Sequence, residues 1–321
     1  MSRLAYHPGY DIGFFGIERL HPFYTRKYSR AWRLLREEFG EALDAQPEKP
    51  SEQVSTEELA SVHAVAYLEQ LKSSSYLAKV LELAAVAVFP ASVVDSHLLA
   101  PMRLAARGSM LAARAAMRSG FTANLSGGYH HAKPESGEGF CVYSDIALAV
   151  HALRKNGALS NGGGLVYIDL DAHQGNGVCY SFHDDRRVFI FDLYNGEIYP
   201  SHDGRAQERI DCNVPVRSGC TDVEYLSLLE AKLPKFLDAA AASRNIQFAI
   251  YNAGTDVYRE DSLGQLALSA EAVLKRDLFV IRELKRRSLP TLMLPSGGYT
   301  DESHRLIYRT LSQVFREIHP L

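Results

Sequence analysis

Five short hydrophobic runs constrain the fold of this chain more than any other feature of its sequence. They are rich in β-branched and aromatic residues and have the length of strands: 121–125, 165–170, 188–193, 248–251 and 291–294. Segments of helical character separate them along the chain. Continuous hydrophobic runs that alternate with helices are typical of a parallel sheet buried on both faces. The sequence therefore predicts an α/β fold, with one mostly parallel central sheet and helices on both faces.

Hydrophobic spacing and stop signals predict the helices. In one of them, Thr221 and Glu224 form a capping box, and Pro234 is expected to kink the helix. The predicted helices span 26–39, 101–119, 145–156, 221–244 and 266–287.

We find no internal repeat, and 321 residues is within the range of one large α/β sheet. Polar residues from Asp44 to Thr56 predict an exposed loop that is too short to separate two domains. A second loop is predicted from Pro90 to Pro101, around His97. We therefore expect residues 1–321 to form a single domain.

Polar residues with catalytic potential follow four of the five hydrophobic runs, and the remaining run contains Asp192 near its end. In an open α/β sheet, binding sites form beyond the carboxyl ends of the strands. Core packing alone does not account for so many reactive groups in these positions. The segments expected to meet at one edge are 126–131, 171–173, 252–256 and 295–299, together with Asp192.

The segment from Asp169 to His173 is the sharpest indication of a metal site. In an extended chain, residues 169, 171 and 173 point the same way, so two carboxylates and one imidazole would share a face. Asp256 follows another run and would complete the set. Mixed Asp and His ligands suit Zn²⁺, and three protein ligands leave a fourth position open, as in catalytic zinc sites. The alternative for Asp169 is a role behind the metal, and the alternative for the whole segment is a hydrogen-bonded turn.

Two glycine-flanked loops are further candidates for the site. His130 and His131 follow Gly127-Gly128 and suit a general acid/base pair, because histidine titrates near neutral pH. Tyr299 follows Gly297-Gly298 and could donate to a developing oxyanion. The competing interpretations are one structural and one solvent-facing histidine, and a tight turn with a packed tyrosine.

Charge and composition argue against several classes of protein. The net charge is −3, so no strong field attracts the chain to nucleic acid or to an anionic membrane. The longest apolar run, 83–89, is far shorter than the about 20 residues of a membrane span. Four cysteines without a CxxC pair and an N-terminus without a secretory signal favour a cytoplasmic location.

Together, these motifs resemble those of the zinc-dependent histone deacetylases, a family with an arginase/deacetylase-type α/β sheet. The resemblance covers most of the chain, and its motifs occur in the family's order. Features most similar to the class IV branch are the Asp-Ala-His-Gln-Gly-Asn form, His21-Pro22, Leu99-Ala-Pro101 and the Ser-Gly-Gly-Tyr ending. The motifs themselves are 129–134, 139–141, 169–176, 252–256 and 296–299.

The resemblance implies a role for each site residue. His131 would be the general base and then the general acid, and His130 its electrostatic partner beside the Asp169 carboxylate. Tyr299 would polarise the substrate carbonyl. The implied zinc ligands are Asp171, His173 and Asp256.

The resemblance also implies a substrate tunnel and a second ion. Phe140 and Tyr199 would be walls that grip an acyl-lysine stem, with Gly139 and Gly298 beside them. A structural K⁺ would bind near the backbone of Asp169 and near Asp192.

The implied activity is removal of acetyl or longer acyl groups from N6-acyl-lysine in proteins or peptides. Class IV resemblance favours long acyl chains moderately. The alternative substrates are small acetylated amines such as polyamines. A binuclear manganese ureohydrolase is a weaker alternative, because Gly254 and Tyr258 stand where a second carboxylate beside Asp256 would be needed. A scaffold without activity is disfavoured, because all the expected groups are present.

One residue departs from the class I pattern. Asn176 stands where many relatives carry an Asp that pairs with the second histidine. A neutral amide raises the pKa of a histidine less than a carboxylate does. The substitution leaves open whether His131 cycles as in class I.

Overall fold

The computed structural model describes residues 3–20, 22–44 and 47–321, so His21 of the class IV-like features lies outside the described residues. Eight strands of these residues form one sheet, in the order β2-β1-β3-β8-β7-β4-β5-β6, and every neighbouring pair is parallel. The predicted mostly parallel α/β sheet is confirmed. The strands are β1 Leu4–Ala5, β2 Pro47–Glu48, β3 Phe121–Asn124, β4 Gly164–Asp169, β5 Val188–Asn195, β6 Cys212–Val216, β7 Ile246–Asn252 and β8 Thr291–Leu294.

Helices cover both faces of this sheet. The longer helices among the described residues are α1 Arg26–Phe39, α7 Ala100–Ser119, α8 Asp145–Lys155, α11 Asp222–Ser243, α12 Ala270–Arg286 and α13 Ser303–Gln313. The shorter helices are α2 Glu41–Asp44, α3 Thr56–Leu59, α4 Val65–Gln70, α5 Ser74–Val80, α6 Ala91–Val94, α9 Asn176–Ser181 and α10 Gly204–Arg209. None of the helices in the described ranges is long and apolar enough to cross a membrane.

Alternating side chains of each central strand enter two separate hydrophobic cores. In β4, Val166 and Ile168 pack in one core, whereas Leu165 and Tyr167 pack in the other. The first core includes residues of α1, α11, α12 and α13, and the second includes residues of α7, α8 and α9. Burial on both faces explains why these strands read as continuous hydrophobic runs.

The predicted loop at 90–101 is wrong, because this segment is helical. It contains α6 and one π-helical turn, Asp95–Leu99, that leads directly into α7. Pro101 lies in the first turn of α7, where a missing amide donor costs little. The two prolines therefore bracket helical structure rather than end it.

Two other boundaries differ from the prediction. The expected loop at 44–56 contains the short strand β2, which pairs with β1, while residues 45 and 46 lie outside the described residues. The helix expected from Leu266 begins only at Ala270, because Leu268 pairs with Tyr258 and Ser269 caps the helix. The capping box at Thr221 and Glu224 opens α11 as predicted.

Candidate functional site

The strands that carry the candidate residues are neighbours in the sheet. Strands β3, β8, β7, β4 and β5 are consecutive in the sheet order, so the segments after their carboxyl ends lie next to one another. The side chains of Asp171, His173 and Asp256 come together there, with the possible ligand atoms all within 4.8 Å of one another. These are the three residues for which the sequence analysis expected a metal site.

The geometry of this cluster fits one tetrahedral metal ion. The Nδ1 atom of His173 lies 2.9 Å from Oδ2 of Asp256 and 3.2 Å from Oδ1 of Asp171. Zinc bonds of about 2.0–2.2 Å in a tetrahedron place their ligand atoms about 3.3–3.6 Å apart. The described cluster therefore has donor types that suit Zn²⁺; two of its three ligand-atom distances are slightly below this spacing, and all are within 4.8 Å.

Backbone amides hold the outer oxygen of each carboxylate. Gly297 N donates to Oδ2 of Asp171 at 2.8 Å, and Ala172 N donates to Oδ1 of Asp256 at 2.9 Å. A Cβ atom on Gly297 would lie 2.4 Å from Asp256 Oδ2 and 2.5 Å from Asp171 Oδ2. Glycine is required at this position because the backbone must approach both carboxylates.

The charges of the cluster favour a bound cation. Burial raises the pKa of Asp256, and the Asp171 charge raises it further, to about 7. Burial opposes protonation of His173, but contacts with Asp171 and Asp256 outweigh it and raise the pKa of His173 to about 10. Two adjacent carboxylates resist carrying two negative charges unless a positive charge lies beside them.

Asp169 does not join this cluster. Strand β4 ends at Asp169, so the extended pattern that would align residue 169 with 171 and 173 does not continue. Its Oδ2 instead lies 2.8 Å from Nδ1 of His130, and its Oδ1 accepts from Asn252 Nδ2 at 2.9 Å. Of the two arrangements considered for Asp169, the structure shows the contact with His130.

The two adjacent histidines are buried but have different partners. Nδ1 of His130 meets the Asp169 carboxylate, whereas Nδ1 of His131 meets Oδ1 of Asn176 at 2.8 Å. Burial lowers the pKa of His130, but the Asp169 and Asp171 charges raise it to about 9. Burial and repulsion from His130 and His173 hold the pKa of His131 well below its usual value.

Tyr299 and the predicted tunnel residues surround an opening of about 440 Å³. The rings of Tyr299 and His173 are perpendicular, with centroids 6.0 Å apart. Burial, then the Asp171 and Asp256 charges, raise the pKa of Tyr299 far above its usual value, so the phenol is a hydrogen-bond donor. The opening is lined by His131, Gly139, Phe140, His173, Tyr199 and Tyr299, among others. Gly298 is not among these lining residues, and its carbonyl instead accepts from Lys27.

Asp192 is fully buried beside Asp169. Its Oδ2 accepts from Gly175 N at 3.0 Å, whereas its Oδ1 has no hydrogen-bond partner among the described residues. Burial and then the Asp169 charge raise the pKa of Asp192 well above its usual value. This buried carboxylate oxygen is therefore available to contact a cation.

Sequence reasoning missed two buried cations that support the site. Lys27 donates to the carbonyls of Ser296 and Gly298, at 2.7 and 3.1 Å, and so holds the loop before Tyr299. Arg276 donates at 2.8 Å to the carbonyls of both Leu170 and Gly254. These two residues come shortly before Asp171 and Asp256, so Arg276 links the segments that carry both carboxylates. Both residues lie on helices in patterns that look solvent-exposed, so no local signal identifies them.

Comparisons with known proteins show the family of this chain. A family model for the histone deacetylase domain matches residues 21–315. The chain is 41% identical over 316 residues to "Histone deacetylase 2" of Arabidopsis thaliana, which covers 98% of this chain and 79% of that protein. It is 32% identical over 184 residues to "Histone deacetylase 1" of Homo sapiens, covering 55% of this chain and 36% of the human protein.

A solved structure shares the fold. The crystal structure of the HDA15 HD domain superposes with a TM-score of 0.77 over 99% of this chain and 88% of that chain. At 19% sequence identity, this likeness concerns the fold.

Proposed function

This chain belongs to the histone deacetylase family and is a hydrolase of the deacetylase type; from this premise we propose that it removes acyl groups from N6-acyl-lysine in proteins or peptides. The observation that carries the proposal is the cluster of Asp171, His173 and Asp256, which faces His131 and Tyr299. We propose that this cluster holds one Zn²⁺.

The bound zinc would supply Lewis acidity, which polarises an amide carbonyl and acidifies water. His131 is the general base, because its Nδ1 is engaged by Asn176 and its Nε2 is left to accept a proton from the attacking water. The same nitrogen then delivers that proton to the departing lysine amine.

Two further side chains act on developing charge. The Tyr299 phenol donates a hydrogen bond to the carbonyl oxygen as negative charge builds on it. His130, held by Asp169 at 2.8 Å, places an imidazole beside His131 with ring centroids 4.1 Å apart. Its protonated form favours negative charge in the transition state.

Aromatic residues form the walls that grip the acyl-lysine stem. Phe140 and Tyr199 line the opening together with Gly139 and His131. The rings of His131 and Tyr199 are 5.2 Å apart, and those of Phe140 and Tyr299 are 6.1 Å apart. These short distances are ring–ring contacts within the lining, so the stem would lie along the aromatic wall, inside the opening of about 440 Å³. Gly298 acts from behind this wall, through the loop that carries Tyr299.

The size of the cavities next to the metal cluster limits the length of the acyl group that can bind. A chamber of about 20 Å³, lined by residues such as Gly128, His130 and Cys141, has space for one water-sized group, which matches the methyl of an acetyl group. Phe23 and Phe140 border both this chamber and an apolar cavity of about 430 Å³. A longer acyl chain would enter that cavity if the two rings moved apart.

Two carboxylates at the opening support a second class of substrate. Glu82 and Glu197 are its lining carboxylates, and both are exposed. Negative charge at this position attracts cations, which include both basic peptides and acetylated polyamines. Small acetylated amines therefore remain the alternative substrate.

We also propose that a structural K⁺ binds beside Asp169 and Asp192. The unpaired Oδ1 of Asp192 supports this proposal, because a buried carboxylate oxygen without a partner is costly. The ion would stabilise the start of the segment that carries Asp171.

A substrate panel tests the proposed function. Lysine peptides with acyl groups from acetyl to myristoyl, and acetylated polyamines, are each assayed for kcat/KM with the zinc-loaded protein. We expect the peptides to be hydrolysed with a higher kcat/KM than the polyamines. Higher values for the polyamines would shift the assignment to the alternative, and hydrolysis of neither class would contradict a deacylase.

A further inference from the structure

The hydrogen bonds of Asn176 extend beyond His131 to two carboxylates. Its Nδ2 donates to Oε1 of Glu138 at 2.5 Å and to Oδ2 of Asp203 at 3.3 Å. Its Oδ1 faces two donors, Nδ1 of His131 at 2.8 Å and the backbone N of Gly177 at 2.9 Å. Donors and acceptors on all sides therefore permit one orientation of the amide.

We propose that Glu138 is a positioning residue for the reaction, acting on His131 through the Asn176 amide. Glu138 fixes the amide, and the amide oxygen then holds the proton of His131 on Nδ1. The lone pair of Nε2 is left facing the metal cluster. This inference rests on the proposed function, in which His131 is the base.

The charges around the amide support this assignment. Lys133 Nζ lies 3.0 Å from Glu138 Oε2 and 3.5 Å from Asp203 Oδ2, so one cation serves both carboxylates. Two negative charges and one positive charge leave a net charge of −1 beside Asn176. Glu138, Asp203 and Lys133 together thus carry the charge of about one carboxylate. This charge lies one hydrogen bond further from His131 than the carboxylate of a direct His–Asp pair would.

Glu138 acts on the amide more strongly than Asp203. Its contact with Nδ2 is the shorter of the two, at 2.5 Å against 3.3 Å. Both carboxylates have other partners: Glu138 has Lys133 and the Tyr199 phenol, and Asp203 has Tyr180 OH at 3.1 Å and Ala206 N at 3.2 Å, as the cap of α10. The backbone of Glu138 is fixed by hydrogen bonds in both directions with Cys141, at 2.9 and 3.2 Å. Its side chain is 30% exposed, so substitution there should not disturb the core.

A charge exchange tests the proposal. Glu138→Gln leaves Asp203 and Lys133 beside the Asn176 amide, with no net charge. We expect kcat to fall about tenfold while KM changes by less than about threefold. Asn176→Asp alone places a third carboxylate beside Glu138 and Asp203, so its kcat should fall as well. In the double variant Glu138→Gln/Asn176→Asp, the new amide at position 138 donates to the new carboxylate at position 176, which accepts from His131 directly. We expect kcat of this double variant to recover to within about threefold of wild type.

The matched control is Asp203→Asn, which removes a charge beside the same amide but leaves Glu138 in place. We expect it to lower kcat less than Glu138→Gln does. A Glu138 role confined to its ion pair with Lys133 would give a double variant as slow as the slower single variant, and that result would overturn the proposal. A fall in kcat/KM that comes from KM alone would also overturn it.

A second readout does not depend on catalysis. Ring ¹⁵N spectra of the metal-free protein report which nitrogen of His131 carries the proton. We expect one tautomer, protonated at Nδ1, in the wild type and a mixture in Glu138→Gln. A single unchanged tautomer in both would overturn the proposal. An inactive wild type that nonetheless shows this difference would overturn the proposed function and leave the positioning role of Glu138 standing.

Discussion

The two sides of the histidine pair differ in what lies behind each imidazole. Behind His130, the carboxylate of Asp169 is fully buried and accepts from Tyr167 OH at 2.6 Å and from Asn252 Nδ2 at 2.9 Å. Behind His131, the neutral amide of Asn176 leads outward to Glu138, which is partly exposed. One imidazole is therefore in direct contact with a buried charge, and the other reaches a charge only through an amide.

This contrast shows how two identical side chains can take different roles. A buried carboxylate in contact with His130 favours the imidazolium form of that residue. An amide in contact with His131 fixes its tautomer and adds no charge, so the neutral form persists and can accept a proton. In the proposed mechanism, the residue behind each ring therefore distinguishes the cation from the base.

The greatest loss of activity is expected when the two sides are made alike. Asp169→Asn would put an amide behind both histidines, and it would leave Tyr167 and Asn252 facing a group with one acceptor oxygen instead of two. We expect kcat to fall on the order of 10³-fold, comparable with other losses of a carboxylate behind a histidine. Steady-state kinetics at matched zinc content measure it. If kcat stays within about threefold of wild type, the charge behind His130 has no part in the reaction.

An intermediate loss of activity is expected from Tyr299→Phe, which leaves the His130–Asp169 and His131–Asn176 contacts unchanged. It removes the donor to the carbonyl oxygen, and one such donor is typically worth about 10² in kcat. Zinc content and the melting temperature should stay at wild-type values, because Tyr299 is not in the metal cluster. A variant with wild-type turnover would remove the phenol from the mechanism.

The smallest expected effect concerns stability and involves another buried histidine, His63. It shows how burial alone changes the pKa of a histidine that has no carboxylate beside it. The ring nitrogens of His63 are bonded only to backbone, with Nδ1 donating to Lys133 O and Nε2 accepting from Ser144 N, both at 3.0 Å. With no carboxylate beside it, burial lowers the pKa of His63 to about 4. The unfolded chain, with a histidine pKa near 6.5, then binds more protons than the folded chain between about pH 4 and 6.5.

Stability should therefore rise with pH across this window and be lost as the pH falls through it. The contribution of one such group is at most about 1.4 kcal/mol per pH unit. Urea unfolding of the wild type and of His63→Gln at several pH values measures it, with the variant as the control for all other titrating groups. Parallel pH dependences in the two proteins would show that His63 is not held neutral.

The central strands and the residues at their ends could be predicted from the sequence. Strands such as β4 and β7 are buried on both faces and so read as unbroken hydrophobic runs, and the polar residues after them converge because parallel strands end at one edge. The edge strands β2 and β6 and the neighbouring β1 were missed. Strands β1 and β2 have only two residues each, too few to show a period, and β6 contains Pro215 and exposed residues in alternation with buried ones. The helical segment at 91–99 was hidden by its flanking prolines.

The supporting residues could not be predicted, because their partners are far away in the chain. Lys27 binds carbonyls more than 260 positions further along, and its place on α1 resembles that of any surface lysine. Glu138 carries no motif, and its contact with Asn176 exists only once the loop after β3 packs on α9. Such long-range pairs depend on the tertiary fold rather than on spacing.

Metal analysis of the purified protein is the decisive test of the proposed zinc site. Mass spectrometry of the wild type and of Asp256→Ala, each shown by circular dichroism to be folded, gives the identity and number of bound ions per chain. We expect one zinc per wild-type chain and none in Asp256→Ala. Two manganese ions in the wild type, or a full zinc equivalent retained in Asp256→Ala, would contradict a mononuclear site built from Asp171, His173 and Asp256.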